Sequence, residues 1–200
     1  MYKRQIKDSA NFVGENLDGC LLLENREHLW EIALEAATSP GVFVELGVWT
    51  GESINYMAKL KPNEQFFGFD SFQGLAENWS GTPLGRGHFD VKGSLPIVPD
   101  NVNLIAGWFD STLPDFLKNH PDPLAFVHFD ADTYESTKLA LDTFSSRIGV
   151  GSVLVFDEFH GYPNWRNGEF RAWNEFVGSR QLKFKFIGFS RQQAAVKILG

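Results

Sequence analysis

The chain has 200 residues, 43% of them hydrophobic and 22% charged, which excludes disordered and fibrous classes and suits one domain with a sizeable core. Lys and Arg total 18 against 25 Asp and Glu, a formal charge of −7, so the basic footprint that nucleic acid or an anionic membrane requires is missing. The single cysteine, Cys20, excludes an internal disulfide and a Cys-rich zinc cluster, and a reducing compartment, the cytoplasm, is expected.

The first residues, Met1-Tyr-Lys-Arg-Gln-Ile-Lys, lack the apolar centre of a secretory signal, and no run is long and apolar enough to span a membrane. Residues 1–40 are read as an N-terminal helical segment of a single domain covering 1–200. Within it, Leu29, Trp30, Ile32, Ala33 and Ala36 recur at helical spacing and predict a helix over Asn25–Ala37, stopped by Ser39-Pro40-Gly41. Val42–Leu46 predicts the first strand and Glu52–Leu60 the helix after it. Gln65–Asp70 and Val102–Ala106 predict the second and third strands. Ser111–Asn119 predicts a short helix that Asp110 or Ser111 can cap.

Leu124–Asp130 predicts the fourth strand, Tyr134–Arg147 a helix, and Ser152–Asp157 the fifth strand. A helix over Gly168–Gly178 follows, with Phe170, Trp173 and Phe176 along a core-facing stripe. Leu182–Phe189 and Ala194–Leu199 are too close in sequence for a parallel crossover and predict an antiparallel hairpin. The pattern predicts an α/β fold: a doubly wound sheet of seven strands with one reversed. Two connections exceed ordinary turns. Ser71–Asn101 reads as a lid-like loop, and Glu158–Asn167 as a second binding loop; both leave the carboxyl ends of strands, where open α/β sheets take ligands.

Three groups of residues carry chemistry. Glu45-Leu-Gly47-Val-Trp-Thr-Gly51 joins a strand to a helix start, where glycines admit a close backbone approach and free N–H groups face the ligand. It lacks the middle glycine of the dinucleotide fingerprint, and Glu45 would repel a pyrophosphate while attracting a cation such as the sulfonium of S-adenosylmethionine. Asp70 ends the next strand, where an acidic residue accepts hydrogen bonds from ribose hydroxyls. Asp130 and the Asp157-Glu158 pair end the fourth and fifth strands, with Asp132 nearby. Carboxylates gathered there repel one another unless a divalent ion intervenes, and all-oxygen ligands without Cys select Mg²⁺, Ca²⁺ or Mn²⁺ over zinc. Caps and solvated strand ends are the bland alternatives for all three.

Phe43–Gly51, Gly68–Leu75, Gly107-Trp-Phe109, Asp130-Ala-Asp-Thr-Tyr-Glu-Ser-Thr137 and Asp157-Glu158, in that order over about 42–160, resemble the motifs of the macrocin O-methyltransferase (TylF-type) family. The resemblance implies a class I S-adenosylmethionine-dependent fold of strand order 3-2-1-4-5-7-6 with strand seven reversed. It also implies Mg²⁺-dependent methylation of a hydroxyl on a sugar or other natural product. By matched position, Glu45, Gly47, Gly51 and Ser53 would hold the methionine end of the cofactor, and Asp70 and Ser71 the ribose. Trp108 and Phe109 would border the adenine, and Asp130, Asp157 and Glu158 would hold the metal. The chain departs from the family's Asp-Asp pair at Glu158, one methylene longer, and in the loop from His160 to Gly168.

Asp130 or His160 is expected to take the acceptor's proton. Tyr162, Trp165 and Arg166 are expected to stack on the acceptor, and Trp79 and His88 to serve the lid. Asn78-Trp-Ser80 reads as a chance sequon and Cys20 as a bystander thiol. The expected partner is a small-molecule acceptor (sugar, natural product or phenol), with no nucleic acid and no membrane; a homo-oligomer stays open. Two rival functions remain at this point: a non-catalytic S-adenosylmethionine-binding or partner-docking protein on the same fold, and an NAD-dependent oxidoreductase.

Overall fold

The computed structural model describes residues 2–200; Met1, first residue of the expected 1–40 segment, lies outside the described residues. Side chains alternate along each strand, and here both faces are apolar, as a parallel sheet covered by helices on both sides requires. The strands are β1 (Leu21–Leu22), β2 (Val42–Leu46), β3 (Phe66–Asp70), β4 (Val102–Ala106), β5 (Leu124–Phe129), β6 (Val153–Phe156), β7 (Phe184–Phe189) and β8 (Ala194–Ile198). They form one sheet of order β1-β7-β8-β6-β5-β2-β3-β4. Only β8 runs against its neighbours β6 and β7.

Seven of these strands reproduce the expected order and its one reversal. The sheet has eight, however, which corrects the expected count. The additional β1 pairs parallel to β7, Leu21 opposite Gly188 and Leu22 opposite Phe189. Two exposed residues carry no periodicity, so the pattern held no signal for it.

Val44, Leu46, Val127, Phe129, Leu154 and Phe156 form one face of the sheet. Against it pack α1 (Tyr2–Glu15), α4 (Phe109–Asn119), α5 (Tyr134–Phe144) and α6 (Glu169–Arg180). Phe43, Phe66, Phe126, Val153 and Val155 form the other face, covered by α2 (Arg26–Ala36) and α3 (Glu52–Leu60). Asn25 caps α2 by accepting the His28 N–H at 3.0 Å. The helix expected from Ser111 starts earlier, at Phe109, with no side-chain cap; Asp110 lies inside its first turn, where a negative charge favours the helix N-terminus.

The lid-like segment 71–101 contains no helix or strand. It is folded on itself by backbone hydrogen bonds, Leu75 N–H to His88 O (2.9 Å), Gly87 N–H to Leu75 O (2.9 Å) and Gly93 N–H to Phe72 O (2.8 Å). The second loop differs from expectation. Trp165 and Tyr162 are buried rather than poised for an acceptor, because Phe12 of α1 and Phe170 of α6 close on Trp165, with ring centroids 5.3 and 4.7 Å away. Arg166 lies over the Trp165 ring and pairs with Asp8 at 2.8 and 2.9 Å. Trp173 and Phe176 are core residues, as their spacing predicts. Among the described residues no helix is long and apolar enough to cross a membrane.

Candidate active site

Hydrogen bonds carry the strand pairing one step past the strand ends. Gly47 N–H donates to Phe69 O (2.8 Å), Asp130 N–H to Leu46 O (2.8 Å) and Asp157 N–H to Phe129 O (2.9 Å). The residues leaving β3, β2, β5 and β6 therefore run side by side into a common mouth. Gly47 sits at φ 92°, and a Cβ there would collide with the Asp130 carbonyl. Only glycine lets these two loops approach so closely.

Asp70 folds the turn opposite. Its Oδ2 accepts the N–H groups of Val48 (2.8 Å) and Trp49 (2.7 Å), and its Oδ1 accepts the Phe72 N–H (2.7 Å). These bonds hold Trp49 at φ 46°, a conformation bulky residues rarely adopt. Trp49 stays 46% exposed and meets Phe89 of the long loop edge-on at 5.3 Å, leaving the space behind it open.

That space is a cavity of about 460 Å³. Of the sequence-predicted residues, Gly47, Asp70, Ser71, Trp108, Phe109 and Asp130 line it, together with Leu75, Glu77, Arg86 and Phe89 from the long loop. Gly51, at the N-terminus of α3, and Ser53 do not line it, nor do Glu45, Asp157, Glu158 and His160. Glu45 is fully buried on the α2–α3 face, its Oε1 2.8 Å from His128 Nδ1. His160 is buried against Phe189 with no partner at Nε2, and burial pushes its imidazole down to about 4.

The acidic strand ends do converge. Carboxylate oxygens of Asp130, Asp132 and Glu158 lie within 4.8 Å of one another, and donor atoms of His128, Asp130 and Asp157 form a second such group. Burial, then the neighbouring Asp157 charge, raises Asp130 and Glu158 well above the usual carboxylate range. The same two causes push Asp132 up to about 7. Burial also acts on Asp157, but His128 (3.6 Å) and Arg26 (4.0 Å) outweigh it and hold this carboxyl low. Buried Glu158 Oε2 and Asp157 Oδ1 have no hydrogen-bond partner. A hard divalent ion is the ligand that unpartnered, mutually repelling oxygens fit.

Behind them stands a supporting layer the sequence did not disclose. His128 bridges Glu45 and Asp157; burial opposes a charged ring, but the two carboxylates raise it to about 10. The Trp30 indole N–H donates to Nε2 at 3.2 Å. With Nε2 accepting from Trp30, Nδ1 is the nitrogen that carries the proton facing Glu45. Glu169 accepts the Glu158 N–H at 3.0 Å and the Thr137 hydroxyl at 3.3 Å, and burial pushes it up to about 8. The one available signal for His128 was a polar residue inside an apolar strand run. Glu169, just after a glycine, offered none.

A family model described as a methyltransferase domain matches residues 44–159. The chain is 29% identical over 172 residues to the Streptomyces olivaceus 8-demethyl-8-(2,3-dimethoxy-alpha-L-rhamnosyl)-tetracenomycin-C 4′-O-methyltransferase, covering 74% of this chain and 63% of that protein. It is 27% identical over 158 residues to the Streptomyces niveus demethyldecarbamoylnovobiocin O-methyltransferase, covering 66% and 59%. The chain thus spans less than two thirds of the length of these relatives. The solved structure of CalS11, a calicheamicin methyltransferase, shares the fold with a TM-score of 0.74 at 24% identity, over 86% of this chain and 78% of that one. The matched span runs from β2 to the loop after β6 and contains every converging strand end described above; the chain belongs to the methyltransferase-domain family.

Proposed function

We propose that the protein is an S-adenosylmethionine-dependent, Mg²⁺-dependent O-methyltransferase acting on a hydroxyl of a small molecule, a sugar or other natural product. The observation that carries this reading is the open cavity beside the carboxylate cluster, at the carboxyl edge of a sheet whose β2–β6 span matches the methyltransferase family. The first relative's name, an O-methyltransferase of a rhamnosyl-tetracenomycin, supports a sugar-bearing acceptor.

S-adenosylmethionine, when bound, supplies an electrophilic methyl on a sulfonium. Gly47, which lines the cavity, would back the cofactor's methionine end, and Glu45, Gly51 and Ser53, which lie outside the cavity, would act only through the loop they support. Asp70 and Ser71 take the ribose, and Trp108 and Phe109 border the adenine. Asp130, Asp157 and Glu158, with Asp132 beside them, would hold Mg²⁺, which would supply positive charge beside the acceptor oxygen. Asp130 takes the proton of the acceptor hydroxyl. His160 is set aside for that role, since it is walled off from the cavity by its own packing. The acidic mouth favours the sulfonium, and the protein's contribution is chiefly placement of two reactants. Lone Cys20 fits a cytoplasmic setting.

Isothermal titration with S-adenosylmethionine and S-adenosylhomocysteine tests the reading. Saturable binding of both is expected, and no heat at millimolar ligand would overturn it.

A further inference from the structure

The acidic cluster is split between two segments of chain. Asp130 and Asp132 stand where β5 runs into α5, and Asp157 and Glu158 stand where the second loop leaves β6. The tip of the long loop, Asn78–Ser80, sits across the seam between them. It lines a hollow of about 180 Å³ whose facing walls are Thr133 and Tyr134 on one side and Asn167 and Gly168 on the other.

Three consecutive residues of the tip engage three consecutive residues of the second loop. Trp79 meets the Tyr162 ring edge-on, with centroids 5.8 Å apart. Ser80 Oγ accepts from Asn164 Nδ2 at 2.7 Å, and Asn164 adopts a left-handed φ of 68° to present that amide. Gly81 sits at φ 92°, and a Cβ there would collide with the Pro163 carbonyl, so only glycine lets the two loops touch. All three contacts fall within His160–Gly168, where the chain departs from the TylF-type pattern. The long loop has a second anchor on α3, where Asn55 Nδ2 donates to Ile97 O at 3.0 Å. Between the two anchors, Arg86 and Phe89 wall the main cavity.

This placement makes the loop sensitive to both sites. Oxygens of Asp130, Asp132 and Glu158 lie within 4.8 Å of one another. Like charges on the two sides repel across the seam and work against the contacts above it. A divalent ion held by both sides draws them together. A ligand in the cavity favours the same seated loop, because it touches walls that exist only there. Two ligands that favour one state each raise the other's affinity by the same factor.

We propose that Trp79, Ser80 and Gly81 form a latch on Tyr162, Pro163 and Asn164 that couples the two sites: a divalent cation closes the seam, seats the long loop and tightens cofactor binding. The inference rests on the methyl-transfer reading above. It adds that the loop, and not direct contact between ion and cofactor, is the link.

Calorimetry on the full chain, with S-adenosylhomocysteine titrated in chelator and in saturating Mg²⁺, tests this. The wild type should bind about tenfold more tightly with Mg²⁺. Gly81→Val should bring that ratio close to one. Asn164→Ala, which removes a single surface hydrogen bond, should lower the ratio in part and keeps the test readable if Gly81→Val does not fold. Hydrogen exchange gives a second readout. Mg²⁺ alone should slow the Gly87 and Gly93 amides, which are bonded within the long loop, in the wild type but not in Gly81→Val. An S-adenosylhomocysteine affinity indifferent to Mg²⁺ overturns the latch. So does a Mg²⁺ effect that survives in both variants, which would mark direct contact, or loop amides that Mg²⁺ leaves unchanged. No binding of S-adenosylhomocysteine under either condition would strike the methyl-transfer reading itself, and the coupling with it.

Discussion

Each carboxylate at the mouth does a different task because its neighbours differ. Asp70 accepts three backbone N–H groups, which fold the turn that a cofactor would lie against and leave its carboxylate room for one further donor. Asp130 has no such donors and lines the open cavity, which suits proton transfer. Asp130→Asn should lower kcat by about 10²–10⁴ while leaving S-adenosylhomocysteine affinity within a few-fold, read by steady-state kinetics and calorimetry. Asp157 sits between His128 and Arg26, low in pKa and ready to hold a cation. Asp157→Ala should remove the dependence of turnover on Mg²⁺; an unaltered Mg²⁺ titration would dispose of its role as a ligand. Glu169 acts through Glu158, whose N–H it accepts at 3.0 Å. Glu169→Ala should raise the Mg²⁺ concentration for half-maximal activity more than it lowers kcat, and Glu169→Gln, which keeps an acceptor, should restore most of it. The loss of one buried hydrogen bond sets the scale at about 1–3 kcal/mol.

At the scale of elements, α1 clamps the loop that carries the last carboxylates. Phe12 meets Phe159, Trp165, Phe170, Phe186 and Phe189 with ring centroids 5.2–6.1 Å away, and Ser9 accepts the Gly161 N–H at 2.9 Å. Phe12→Ala should cost roughly 2–4 kcal/mol in urea unfolding, near the lower end for a truncated core ring because Phe12 is only partly buried. The strands were legible because Val42–Leu46, Leu124–Phe129 and Val153–Phe156 are short apolar runs bounded by turn residues. The strand-end carboxylates were legible for the same reason: a charge placed just after such a run lies at the sheet's edge. Glu45 and His128 broke that logic by lying inside their strands, where pairing rather than exposure satisfies them. Loop aromatics were not legible, since Trp165 has no periodic context, and only the arrival of α1 decides that it is buried.

For the molecule as a whole, crowded buried acids make stability depend on pH. Asp132 is raised to about 7 and Glu169 to about 8, so between their unfolded values and those values the native state binds more protons than the unfolded chain. Stability then falls as pH rises through that window. His160, lowered to about 4, works the other way only between about 4 and 6.5, its unfolded value. In chelator, the urea midpoint should therefore decline from pH 6.5 to 8, and Mg²⁺ at pH 8 should recover it. A flat profile in chelator would remove the claim that these acids are crowded.

The Glu45–His128 pair has a consequence for how the chain reaches this state. The two residues face each other across β2 and β5, surrounded by Phe43, Phe126 and Val155. Sliding one strand past the other by a single position would turn its side chains to the opposite surface and leave a naked carboxylate among phenylalanines. The central strands thus carry a polar key cut for one alignment, since any other register buries a carboxylate without its partner.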